Sequence, residues 1–467
     1  MATAIPLSVQ KAKEDNLFLR NIVLYQGAGV LLGLGVLPAA GLILSVLIII
    51  SLMISRITQR RLPEAIQFLM ILHFLQPYLR TYAKSLPYFF VELSTIIFVM
   101  LYLREYATQT VTELRAVLTL ISVYFVIEVV SYTEYSEWMH YRAVLGNSLA
   151  LTMLIYAGVK RSKVVLPIEK IVRILLLCGS LLSGVILSAH LRGNIEYGTE
   201  SNFEASNGMG PVQLSFYLAL TAFLFFYKFF NESDSKQKLF YVAQMLLVAG
   251  LSALTFSRGG LYFLAAYTAF YLFFNRHKFS KAKNSTYMAI VFIPMLFFAY
   301  SAVLNITGNK VVDRFEEEGT GNRDILFDYG MQIFQENPAF GVGTSGFFEY
   351  VSQPRLWGKK SGAHNEFIRS LAEHGILGGI VYFGFVIVAF AGIRARRLPL
   401  DEKSLYYIFM FSYIAGTIHN GQKIGLQCFM VFLAISPLTS GVFKNDPSTE
   451  FKPRAFKKPQ AKLVPKA

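Results

Sequence analysis

Apolar stretches of about 16 to 22 residues recur along this chain, divided by short polar breaks, and each is long enough to cross a bilayer as a helix. The pattern gives about fourteen candidate spans, near 22–37, 39–54, 64–79, 86–103, 116–133, 143–159, 171–190, 211–230, 239–257, 260–274, 286–303, 375–393, 404–419 and 424–442. Only Pro38 separates the first two, so one bent segment is the alternative there, and a total of about twelve stays open. The expected organisation is a cytoplasmic N-terminus (1–20), eleven spans (21–303), one large loop (304–370), three spans (371–443) and a basic tail (444–467). The first apolar run is too long for a cleavable leader and lacks its small-residue cleavage pattern.

Composition agrees with this pattern. Of 467 residues, 54% are hydrophobic and 16% charged, where soluble chains carry roughly a quarter charged; the mean hydropathy is +0.46. The formal net charge of +15 suggests nucleic acid until its distribution is read. With the N-terminus inside, about 30 of the 44 Lys and Arg fall on one side of the alternating spans. They include Arg56, Arg60 and Arg61; Lys160, Arg161 and Lys163; Arg276, Lys278, Lys281 and Lys283; Arg394, Arg396, Arg397 and the tail. This is the positive-inside pattern, which predicts two cytoplasmic termini and no nucleic-acid partner. Cys178 and Cys428 both fall in expected spans and form no disulfide framework or metal-type spacing.

Two segments on the outward side exceed short connections. One is 191–210, rich in Gly, Asn and Glu; the other is the loop 304–370. A long loop between packed elements with structure of its own reads as functional. Its opening holds the acidic run Glu316, Glu317 and Glu318. Asn322 is then placed to cap a helix from Arg323 to about Gln335, with Ile325, Leu326, Tyr329, Ile333 and Phe334 on one face. That face suits the membrane interface or a neighbouring span equally. Asn337-Pro338 ends the helix, and Gly341, Gly343 and Gly346 make a turn whose amides could also cradle phosphate. A second helix begins near His364-Asn365.

Ionisable groups near membrane depth cost free energy and default to functional hypotheses. Arg258, in Thr255-Phe256-Ser257-Arg258-Gly259-Gly260, sits where one span ends and the next begins; Arg323 opens the loop helix; Arg369 follows His364 by about a turn and a half. The structural alternatives are an interface anchor for Arg258 and Arg369, and pairing with Asp324 or Glu336 for Arg323. Histidine takes up a proton near neutrality, and His364 stands in a composite pattern: His364-Asn365, nine residues, then Gly375-Ile376-Leu377-Gly378.

That pattern resembles the signature of bacterial O-antigen ligases, which share a domain with O-antigen and exopolysaccharide polymerases. Other pieces agree in order: Asn207-Gly208-Met209-Gly210-Pro211-Val212-Gln213-Leu214-Ser215, the Leu254–Gly260 segment, Asn322-Arg323-Asp324, and Asn337-Pro338-Ala339-Phe340-Gly341-Val342-Gly343. The resemblance covers residues 200–395 and implies a GT-C-like helical membrane glycosyltransferase with one large periplasmic loop, in the bacterial inner membrane. It implies a glycan donor on polyprenyl diphosphate, an acceptor hydroxyl on lipid or glycan, inversion at the anomeric carbon, and neither cofactor nor metal. By motif, His364 would be the general base, and Arg258 and Arg323 would hold the diphosphate. Asn365, Arg369 and Arg192 would be further substrate contacts.

Guanidinium forks suit phosphate oxygens independently of any family. No Asp-x-Asp, His-Glu-x-x-His, Gly-x-Ser-x-Gly or Gly-x-x-x-x-Gly-Lys-Ser/Thr motif occurs. The histidine signature favours a ligase, while fourteen spans favour a repeat-unit polymerase. The rival from another class is a transporter of lipid-linked sugars, which would more naturally show internal repeats.

Overall fold

The computed structural model describes residues 7–278, 301–313, 323–420 and 425–435, except 88, 106–108, 111–113, 135, 137, 162–166, 194, 198–200, 302, 309, 311, 355–357, 359–360 and 397. The expected span at 286–303, the acidic run, Asn322 and the basic tail therefore lie wholly or almost wholly outside the described residues.

The chain is an all-α polytopic membrane protein. Its helices run in order α1 (Leu7–Gly33), α2 (Ala39–Thr58), α3 (Leu62–Tyr82), α4 (Phe90–Glu105), α5 (Arg115–Val130), α6 (Trp138–Val159), α7 (Ile168–Arg192) and α8 (Pro211–Asn231). Then come α9 (Ser235–Leu254), α10 (Arg258–Phe274), α11 (Arg323–Glu336), α12 (Gly346–Val351), α13 (Glu366–Ala395), α14 (Leu400–Asn420) and α15 (Gly425–Ile435). A two-residue antiparallel pairing joins Gln109–Thr110 to Lys160–Arg161. Among the described residues, five helices are long and apolar enough to cross a membrane: α2, α7, α8, α9 and α13. A helix satisfies its own backbone groups, the condition for crossing hydrocarbon.

The first two spans are separate helices, divided by a left-handed Gly35 and by Pro38 at the α2 N-cap. Helix α1 starts well before the expected boundary at 22. No Pro or Gly interrupts it there, and Asp15 is paired with Arg173 of α7, whose guanidinium also lies 4.9 Å from the Phe18 ring centroid. Glycine lets α1 and α7 touch: a Cβ on Gly29 would stand 2.0 Å from the Leu181 carbonyl oxygen, and one on Gly184 2.0 Å from that of Gln26. Close backbone approach of this kind replaces the hydrophobic drive that helices in lipid lack.

Contacts sort the helix ends into two groups. At one end, Lys228 (α8) meets Glu169 (α7) at 2.7 Å, and Arg396 donates to the Ala434 carbonyl of α15 at 3.0 Å. At the other, the Tyr82 hydroxyl (α3) donates to the Asn207 carbonyl at 2.7 Å, the Asn202 amide to Thr255 after α9 at 3.0 Å, and the Thr344 amide to Ser131 after α5 at 3.0 Å. This second end carries the segment 323–374, which has a hydrophobic core of its own: Leu326, Ile333, Val342, Phe347, Tyr350, Val351, Ile368 and Ala372.

Helix α11 forms over the expected residues, but its buried face is turned from the expectation. Leu326, Gly330 and Ile333 are buried, whereas Ile325 is 38% exposed. Gly330 is the reason. A Cβ there would meet Ile368 at 2.1 Å, so the helix seats on its glycine against α13.

Candidate active site

The His-Asn-x9-Gly spacing acquires a physical meaning in α13. The Asn365 side chain caps the helix, accepting from the amides of Phe367 (3.0 Å) and Ile368 (3.4 Å). After nine intervening residues Gly375 breaks it, with φ +63° and ψ −156°, a region open to glycine alone. A Cβ at Gly375 would also strike the Ala339 carbonyl carbon at 2.4 Å. The nine intervening residues are thus a short helix, 366–374, set off from the long segment beyond. His364 precedes the cap in the left-handed region (φ +51°), a conformation that costs a non-glycine residue about 1 kcal/mol and that clusters at functional sites.

Gly341, Gly343 and Gly346 do not form a phosphate cradle. Their amides are spent on the carbonyls of Asn337 (3.0 Å), Glu373 (2.9 Å) and Gly343 (2.9 Å). The turn is a wedge: Val342 and Gly343 donate to the end of helix 366–374, while the Thr133 hydroxyl (2.7 Å to the Val342 carbonyl) and the Thr344 hydroxyl (2.7 Å to the Glu128 carbonyl) tie it to α5.

Beneath the wedge lies a buried ion cluster. The Arg369 guanidinium is held by Glu366 (Nε to Oε2, 3.1 Å), by Glu128 of α5 and by Glu373, and it donates to the Tyr124 hydroxyl at 3.0 Å. His374 Nε2 stands 3.2 Å from Glu128 Oε2. Glu128, Glu373 and His374 bring ligand-type atoms within 4.8 Å of one another, a donor set of the kind that holds a cation, but the guanidinium sits among them and donates to both carboxylates. Arg369 was expected near substrate; in the structure its charge is engaged by three carboxylates, and the one from Glu128 fastens helix 366–374 to α5.

Arg323 and the turn that opens at Arg258 meet around His419, a residue the sequence pattern did not single out. Arg323, at the start of α11, is in hydrogen-bond contact with His419 at the end of α14, and its Nη2 also lies 3.5 Å from His419 Nε2. Arg258 opens α10, and Gly259 beside it is flush against the same imidazole, where a Cβ would come within 2.2 Å of Cε1 and Nε2. Phe263, one turn on, packs edge-on at 5.1 Å between ring centroids. An ionisable residue at a span end was the available signal for His419, as was Glu128 inside the expected span 116–133.

The other motif segments dock beside this corner. Ser215 donates to Ser257 at 2.8 Å, and Gly260 leaves room for Ser215 and Ser252. Tyr197 stacks on Phe256 at 5.3 Å and bonds His190 Nδ1 at 3.0 Å. Burial pushes the Tyr197 hydroxyl up to about 12, so it stays protonated near neutrality. Arg192 donates to Asn207 Oδ1, whose amide reaches back to the Val185 carbonyl (2.8 Å) and Ser188 (3.0 Å). Arg192 therefore belongs to the loop that leans on Thr255 and Phe256, a neighbour of the corner rather than part of the Arg323–His419 contact.

A search among curated proteins finds no match to the chain. Residues 243–383, which contain Arg258, Arg323, His364 and Arg369, match the model of a family described as O-Antigen ligase. Over this segment the chain is similar to the O-antigen ligase family.

Proposed function

We propose that the protein transfers a glycan from a polyprenyl-diphosphate donor to an acceptor hydroxyl at the outer face of the bacterial inner membrane, as a ligase of its family. One observation carries the reading: Arg323 contacts His419, and Gly259, the residue after Arg258, lies flush against the same ring, with Arg258, Arg323 and His364 all inside the family-matched segment.

His364 takes the acceptor proton as the hydroxyl oxygen attacks the anomeric carbon. The glycosidic C–O bond to the diphosphate breaks with its electron pair leaving on oxygen, and configuration inverts. Arg258 and Arg323 hold the diphosphate, whose growing charge suits fixed guanidinium donors in a site shielded from water. The reaction calls on no metal in this reading, because two guanidinium groups supply the positive charge. Asn365 and Arg369 act one step away, by capping and anchoring the helix that presents His364; Arg192 is a further contact for the donor. The capped helix 366–374 favours an enzyme over a transporter of lipid-linked sugars, since transport would not require a capped helix that sets one strained histidine.

Purified protein in nanodiscs, given a polyprenyl-diphosphate glycan and lipid or glycan acceptors, is expected to yield a glycosylated acceptor and free polyprenyl diphosphate. Products lengthened while still lipid-linked would replace the ligase by a polymerase. Movement of the donor across a vesicle bilayer with no new glycosidic bond would refute the transferase reading.

A further inference from the structure

The structure assigns to His419 the task of positioning Arg323 for the diphosphate, an inference that rests on the proposed transferase reading. The contact joins residues 96 apart in sequence, at the start of α11 and the end of α14. Arg323 is exposed, while His419 is 7% exposed. An exposed arginine samples many rotamers, and fixing it on a ligand opposes binding by the entropy lost. An acceptor on a packed ring removes part of that cost beforehand, which is the general basis of preorganisation.

The ring is seated for such a role. Gly259 forms the floor of its slot, since any side chain there would overlap Cε1 and Nε2. Phe263 forms a wall at 5.1 Å. The floor residue follows Arg258 directly, so the imidazole spans from the neighbour of one proposed diphosphate ligand to the guanidinium of the other. Nitrogen facing a guanidinium must accept, so His419 works as an acceptor here. It is a positioning residue and not a second base, because its ring edge is turned to Arg323 and Gly259.

Three substitutions separate accepting from packing. His419→Asn retains an acceptor near Nδ1, the ring atom in closest contact with Arg323. His419→Phe retains a ring in the slot without an acceptor, and His419→Ala removes both. In nanodisc transfer assays, His419→Phe and His419→Ala are expected to raise the donor KM roughly 2- to 10-fold, the range for ordering one rotamer-rich side chain on binding. The acceptor KM should change little, saturated kcat should also fall because Arg323 faces the charge growing on the leaving diphosphate, and His419→Asn should recover most of the donor affinity. In an Arg323→Ala background, His419→Ala should have almost no further effect, since its partner is gone. Full donor affinity in His419→Phe, or independent multiplication of the Arg323→Ala and His419→Ala effects, would overturn the assignment. If Arg323→Ala alone leaves the donor KM at the wild-type value, the diphosphate role of Arg323 falls first and takes this inference with it.

Discussion

Replacing Arg369 by leucine tests whether a buried ion cluster holds the histidine-bearing helix in place. The wild-type cluster sets one guanidinium among Glu128, Glu366 and Glu373, each at most 3% exposed in its side chain. Leucine fills part of the volume but leaves three carboxylates with their cation removed. Breaking one buried pair in this way costs about 3–5 kcal/mol, chiefly because the remaining charge stays desolvated. Three carboxylates around one cation put the change at the upper end of that range. For a chain of this length about 2 °C per kcal/mol or less is expected, so the apparent melting temperature should fall by roughly 5–10 °C. Arg369→Lys keeps the charge but not the fork that reaches Glu128, Glu366 and Glu373 together, and should cost about one charged hydrogen bond, roughly 1.5–3 kcal/mol. Unfolding is readable in detergent with a thiol-reactive dye, because Cys178 and Cys428 are both free and buried. Transfer activity should fall with the same ranking, leucine below lysine below wild type. If Arg369→Leu melted with wild type and transferred normally, the cluster would not be what anchors helix 366–374.

Three further outcomes are expected. His364→Asn should lower kcat by about 100-fold or more, the usual contribution of a general base, with donor binding measured separately by isothermal titration unchanged; retained turnover would remove His364 from the chemistry. Asn365→Ala should cost about 0.5–2 kcal/mol through loss of the N-cap and reduce kcat, whereas Asn365→Asp, which caps equally well, should restore stability in the same dye assay. Gly375→Ala should destabilise by more than 1–3 kcal/mol, since it adds backbone strain to a 2.4 Å overlap with Ala339; unchanged melting would mean that the helix break is not enforced at this glycine.

Much of the candidate site was legible as composition and order. Arginine, histidine and glycine at set spacings marked Arg258, Arg323 and His364 before any packing was known. The Asn365 cap and the Gly375 break were present as residue types, but their purpose was not, because a nine-residue spacing fits many conformations. The unread part was the set of partners. Arg369 reads as a candidate phosphate ligand until Glu128, 241 positions away, is found against it. Gly341 and Gly343 read as a plain turn or a phosphate nest until their amides are seen bonded to Asn337 and Glu373.

The sequence by itself determined that helices cross a membrane, because hydrocarbon forces every backbone group to find its partner within the segment. It also determined where the loop helix α11 forms, since periodicity and a following Pro act within a few residues. Tertiary structure alone decided which face of α11 is buried, which charges cancel, and that His419 stands between Arg323 and the Arg258 turn. Those outcomes depend on close packing between segments far apart in sequence, at distances that no local pattern encodes.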